Sequence, residues 1–140
     1  MRLTLDTDVV VAAMRSPGGA SAALVLAALD DRIKLLANVA LVLEYEAVCL
    51  RPEHGLSAGL AAHQVQLFID TLASLVEPVD SHFIWRPQLR DPGDEMVLEA
   101  AVNGRADAIV TFNHRDFGQA PQRFGLRVLL PRQALEELTT

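Results

Sequence analysis

The residues in this sequence best suited to chemistry are its acids, which recur where the chain must turn. Asp6 and Asp8 follow the apolar run Leu3-Thr4-Leu5, and Asp91 and Asp94 bracket Pro92-Gly93. Asn113 and Asp116 come just after Thr111, in the turn-prone stretch Phe112-Asn113-His114-Arg115-Asp116, and Glu44 lies within the apolar-patterned segment that follows Asn38. Carboxylates brought to one place raise one another's pKa, a cost that a hard cation offsets. Mg²⁺ and Mn²⁺ suit such a cluster because they prefer oxygen ligands and retain waters. A bound divalent ion polarises phosphoryl oxygens and helps generate hydroxide near neutral pH, so no covalent nucleophile is needed. On this reading Asp6, Asp94 and Asp116 ligate the metal. Glu44 is a further ligand or positions the attacking water, and Thr7, Asp8, Asp91, Thr111 and Asn113 support the site. Asp8 and Asp91 also have a simpler use as helix N-caps, and Asp94 as an acid complementing a helix dipole.

The elements that would position these acids alternate between strand and helix. Leu3–Leu5 is a short strand ending at Asp6. After the Ser16-Pro17-Gly18-Gly19 turn, Ala20–Leu29 reads as a helix and 33–37 as a second strand. Asn38 caps a helix lasting until Pro52, and Ser57 is expected to cap another carrying Val65, Phe68, Leu72 and Leu75. Residues 76–79 form a third strand that Pro78 confines to an edge. Asp91, Pro92 and Asp94 have the N-cap, N1 and first-turn chemistry of a helix running through Ala101. Strands at 107–111 and 128–130 and a helix at 132–138 complete the chain. This order predicts an α/β fold of three layers, a mainly parallel, twisted sheet between helices. Open parallel sheets bind ligands beyond the carboxyl ends of their strands, where Asp6, Asp8, Asn113 and Asp116 fall.

Composition limits the alternatives. The 140 residues suffice for one domain, expected to span 1–140, with half the residues apolar and a fifth charged. The net charge of −6 argues against broad nucleic-acid binding by a basic face. An acidic cluster holding a cation remains compatible with a phosphate substrate, because the ion reverses the local charge. Eleven arginines and a single lysine, Lys34, make up the basic residues, a bias that genome composition accounts for as readily as phosphate binding. Cys49 is alone, so neither an internal disulfide nor a Cys/His zinc framework is expected, which favours a reducing cytoplasm. Without a signal-peptide pattern or an 18-residue apolar run, secretion and membrane insertion are not expected. His54, His63 and His82 lack ligand-like spacing, His114 reads as a loop residue, and Glu46 and Glu99 as solvated helix positions. Trp85 with Arg86 suits either base stacking or packing.

Taken in order, Leu5-Asp6-Thr7-Asp8-Val9, Ser16-Pro17-Gly18-Gly19, Leu43-Glu44-Tyr45-Glu46, Arg51-Pro52, Asp91-Pro92-Gly93-Asp94 and the run from Val110 to Phe117 resemble PIN domains, in particular the VapC-like toxins of bacterial toxin–antitoxin pairs. The resemblance covers nearly the whole chain. It implies a PIN fold, metal-dependent RNA cleavage, a homodimer and neutralisation by a cognate antitoxin protein. The acids it implies by position are Asp6, Glu44, Asp94 and Asp116. The family usually has Asn where this chain has Asp8, and often Asp where it has Asn113. One enzymatic rival is a phosphatase resembling the haloacid dehalogenases, with Asp6 as nucleophile and Asp8 as acid/base. That chemistry generally needs a lysine between its two acidic motifs, and Lys34 falls at the start of an expected strand, far from the strand ends. The other rival is a PIN-like module that binds RNA or protein without catalysis.

Overall fold

A computed structural model of the protein describes residues 1–80 and 88–139; His82, Trp85 and Arg86 lie outside the described residues. The chain forms β1 (Arg2–Leu5), α1 (Thr7–Arg15), α2 (Ala20–Leu29), β2 (Lys34–Ala37), α3 (Val39–Cys49), α4 (Pro52–Ala58), α5 (Ala62–Leu75) and β3 (Val76–Pro78). Then come α6 (Pro92–Asn103), β4 (Ala108–Val110), α7 (His114–Phe117), α8 (Ala120–Arg123), β5 (Arg127–Leu129) and α9 (Pro131–Thr139). The five strands are all parallel, in the order β3-β2-β1-β4-β5. The expected α/β architecture, a parallel sheet flanked by helices, is therefore present.

Central parallel strands are covered on both faces and so carry uninterrupted apolar runs. Leu3, Leu5, Ile109 and Val110 are buried accordingly, and Leu35 joins them from β2. Removing each such leucine from water contributes roughly 1.5–3 kcal/mol. Chain order runs outward from β1 to β2 and β3, then returns to the other side of β1 for β4 and β5. The reversal lies between β1 and β4, whose register pairs Leu5 with Val110. Asp6 and Thr111 consequently emerge side by side at the carboxyl ends of adjacent strands.

Several local expectations need correction. Ser57 caps no helix; it sits inside α4. Pro52 suits the first turn of a new helix directly after α3, and Gly59, with φ of 72°, ends that helix in the left-handed conformation. The next helix starts at Ala62, where the Gln64 side chain accepts the Ala61 N–H (2.8 Å). The cap of α1 is Asp6 and not Asp8. Asp91 does cap α6, accepting the Gly93 N–H at 2.8 Å, with Pro92 in the first turn. The edge strand β3 ends at Pro78, as its missing N–H requires, although Val79 N–H still donates to Ala37 (3.0 Å). Glu99 is buried, so it is not the solvated residue expected, and His54 is half-buried within α4. No single helix among the described residues is long and apolar enough to cross a membrane.

Candidate functional site

Asp6 stands at the switch point with both carboxylate oxygens bonded. It is 7 % exposed, and its backbone N–H extends the sheet by donating to Val110 (2.9 Å). One carboxylate oxygen, Oδ1, accepts the Thr7 N–H at 2.8 Å, and the other accepts the Thr111 hydroxyl at 2.7 Å. Thr7 thus supports Asp6 through its backbone and Thr111 through its side chain. The Thr111 oxygen also accepts the Asn113 N–H (3.0 Å), so the loop after β4 is tied to the same group. Burial raises the pKa of Asp6, the two hydrogen bonds oppose that, and Asp116 and Asp91 raise it further by charge.

Asp8 projects from the first turn of α1. Its Oδ2 accepts the Phe112 N–H (3.1 Å) and the Asn113 side-chain amide (3.0 Å), whereas its buried Oδ1 has no hydrogen-bond partner. The two positions at which this chain departs from the PIN pattern are therefore bonded to each other. Burial, then the charge of Asp6, push Asp8 up to about 6. Asp94, in the first turn of α6, is pushed up to about 7 by burial and then by Asp6, Asp91, Asp116 and Asp8. Five aspartates from three segments thus feel one another's charge.

Glu44 stands apart. It is half-buried on α3, beside Leu41 and Tyr45, and among the described residues no hydrogen bond joins it to the aspartates. Its neighbour Tyr45 reaches the site's base, donating its hydroxyl to the Leu5 carbonyl.

The donor set fits a hard divalent cation: it is all carboxylate, mutually repelling, and includes a buried Oδ1 with nothing to bond. Among the described residues no three acids, histidines or cysteines form a ready-made cage. Mg²⁺ is commonly held by one or two carboxylates with the remaining positions filled by water, so a looser ring suffices.

A pocket of about 590 Å³ opens beside the ring, lined by Asp91, Asp94 and Asp116 together with Arg90, Arg115 and Arg123. Its wall depends on Glu95, buried on α6, whose Oε1 accepts the N–H groups of both Gln88 and Leu89 (2.6 Å each). Neither the three arginines nor Glu95 was marked as functional by the sequence. Arg115 alone carried a local signal, lying between Asn113 and Asp116.

Residues 2–115 match the family model described as PIN domain. The chain belongs to the PIN domain family. PIN domains are generally nucleases and generally use divalent metals. A crystal structure of VapBC2 from Rickettsia felis, bound to a DNA fragment from their promoter, contains a chain that this PIN domain resembles in fold. The TM-score is 0.58 at 18 % identity, covering 91 % of this chain and 97 % of that one. No curated protein matches the sequence. The family assignment removes the phosphatase rival, and the structure agrees. Lys34 begins β2 opposite Arg2, at the far end of the sheet from Asp6, and pairs with Asp31 at 3.3 Å.

Proposed function

We propose that this PIN domain is a metal-dependent endoribonuclease that hydrolyses RNA phosphodiester bonds, and that it is the toxin of a toxin–antitoxin pair. The observation carrying the proposal is the gathering of Asp6, Asp8, Asp91, Asp94 and Asp116 at the β1/β4 switch point, near enough for their charges to raise the pKa of Asp6, Asp8 and Asp94. Asp6, Asp94 and Asp116 would hold Mg²⁺ or Mn²⁺, with Asp8 and Asn113 setting the loop that carries Asp116. The bound ion supplies phosphoryl polarisation and an activated water. The protein's own part is to fix the acids. Thr7 and Thr111 lock the Asp6 carboxylate, and the Asp91 cap and Pro92 set the first turn of α6 that presents Asp94. Glu44, which stands apart from the aspartates, would enter only as a further ligand or by positioning the attacking water.

Likeness to a VapBC2 chain supports a cognate antitoxin as partner; the homodimer is what the resemblance to VapC-like toxins implies, and the lone Cys49 favours a reducing cytoplasm. The decisive assay is cleavage of single-stranded RNA by the purified protein. Activity is expected with Mg²⁺ or Mn²⁺ and none with EDTA; cleavage that survives chelation would remove the metal from the mechanism. Expression without an antitoxin is expected to arrest growth.

A further inference from the structure

We propose that the pocket beside the acids is a substrate subsite, in which Arg90, Arg115 and Arg123 grip the phosphate flanking the scissile bond. This rests on the ribonuclease reading and extends it to how the strand is held. Three observations carry it. The pocket shares Asp94 and Asp116 with the acid ring, so a strand with one phosphate at the ring passes directly into it. Its volume of about 590 Å³ falls within the roughly 300–1,000 Å³ of small-ligand sites. Its guanidinium groups come from three separate places, the segment before α6, α7 and α8.

Those arginines are also available. Arg2 and Arg127 are spent on Glu77 and Glu137, whereas among the described residues neither Arg90 nor Arg115 has a carboxylate partner. Arg123 Nη1 donates to the Gln88 side chain (3.2 Å), tying α8 to the segment that Glu95 anchors. The wall is thus held before substrate arrives. A net charge of −6 gives RNA no overall electrostatic attraction, which favours phosphate contacts concentrated at one place. Arginine's planar fork matches phosphate oxygens. The only aromatic lining the pocket among the described residues, Phe117, is fully buried, so no ring is offered for stacking. Contacts from these guanidinium groups to phosphate oxygens position the strand and add affinity without reading its sequence.

The test measures binding of a labelled single-stranded RNA to the full chain carrying Asp6→Asn, across a salt series. Each phosphate contact on a single strand contributes about 0.7 to the slope of log affinity against log salt. The triple Arg90→Ala, Arg115→Ala, Arg123→Ala variant is expected to lose about 0.7 from that slope, the share of one phosphate, and on the order of tenfold or more in affinity at low salt. The corresponding triple lysine variant should keep most of the slope, separating lost charge from lost fold, and Arg32→Ala, outside the pocket, should change neither quantity. A triple alanine variant that retains wild-type slope and affinity overturns the subsite, even if the wild type cleaves RNA. Failure of the wild type to cleave RNA overturns the ribonuclease reading instead, and the binding measurement reports that separately.

Discussion

Both carboxylate oxygens of Asp6 are engaged by Thr7 and Thr111, and one oxygen of Asp8 is engaged by nothing. A carboxylate held at two points keeps its geometry when an isosteric amide replaces it, because the amide oxygen still accepts one of those bonds. Asp6→Asn is therefore expected to fold normally, with an unchanged circular dichroism spectrum. It should lose at least ~10²-fold in kcat/KM on RNA, about 2.7 kcal/mol of transition-state stabilisation. An active Asp6→Asn variant would show that Asp6 is not a central ligand. The aspartates were legible in the sequence because they lie beside or shortly after a strand end or flank the Pro-Gly turn, punctuation that survives without coordinates, whereas Glu44 in the middle of α3 has no such mark. The bonding of the aspartates was not legible. Nothing local distinguishes Asp6 from Asp8 as the cap of α1, and the Asp8–Asn113 bond joins residues 105 positions apart. The arginines were hidden for the same reason, since Arg90, Arg115 and Arg123 form a group only after α7 and α8 fold back toward α6.

Elements carry the site through their ends. Helix α6 presents Asp94 at one terminus and closes at Gly104, where a methyl group would lie 2.8 Å from the Ala100 carbonyl oxygen, 2.8 Å from Val79 Cγ2 and 3.0 Å from Leu36 Cδ1. Backbone oxygen and packed core cannot all give way. Gly104→Ala is expected to destabilise the fold by about 1–3 kcal/mol, measured as a lower urea midpoint with unchanged slope. A midpoint equal to wild type would mean that the helix end relaxes freely. A helix whose start is written in residues, such as α6 with Asp91-Pro92, was readable there, although it runs on to Asn103, past the expected Ala101. The break between α4 and α5 was not, because Ser57 has cap chemistry but Pro52 and Gly59 set the boundaries first.

For the molecule as a whole, the acid ring couples stability to pH. Asp8 and Asp94 titrate near 6 and 7 in the folded protein, whereas an unfolded aspartate titrates near 3.9. The folded state thus holds protons more tightly. The resulting stabilisation is complete below about pH 4 and is lost as pH rises through about 6 to 7. In EDTA the melting temperature should fall between pH 5 and pH 8, and Asp94→Asn should flatten that fall. A wild-type curve that rises over the same range contradicts the assignment.

The bond from Thr111 to Asp6 has a bearing on synthesis as well as on catalysis. It spans 105 residues, and the strand it follows, β4, is inserted against β1 only after β2, β3 and α6 have been made. A nascent chain emerging from the ribosome carries Asp6 from the start, yet until Thr111 and Asp116 arrive it has neither the clamp on that carboxylate nor the last of its acids. Chains interrupted before β4 therefore lack both the clamp and the complete set of acids. If the proposed ribonuclease activity holds, it can begin only once synthesis has passed Asp116 and β4 has closed on β1.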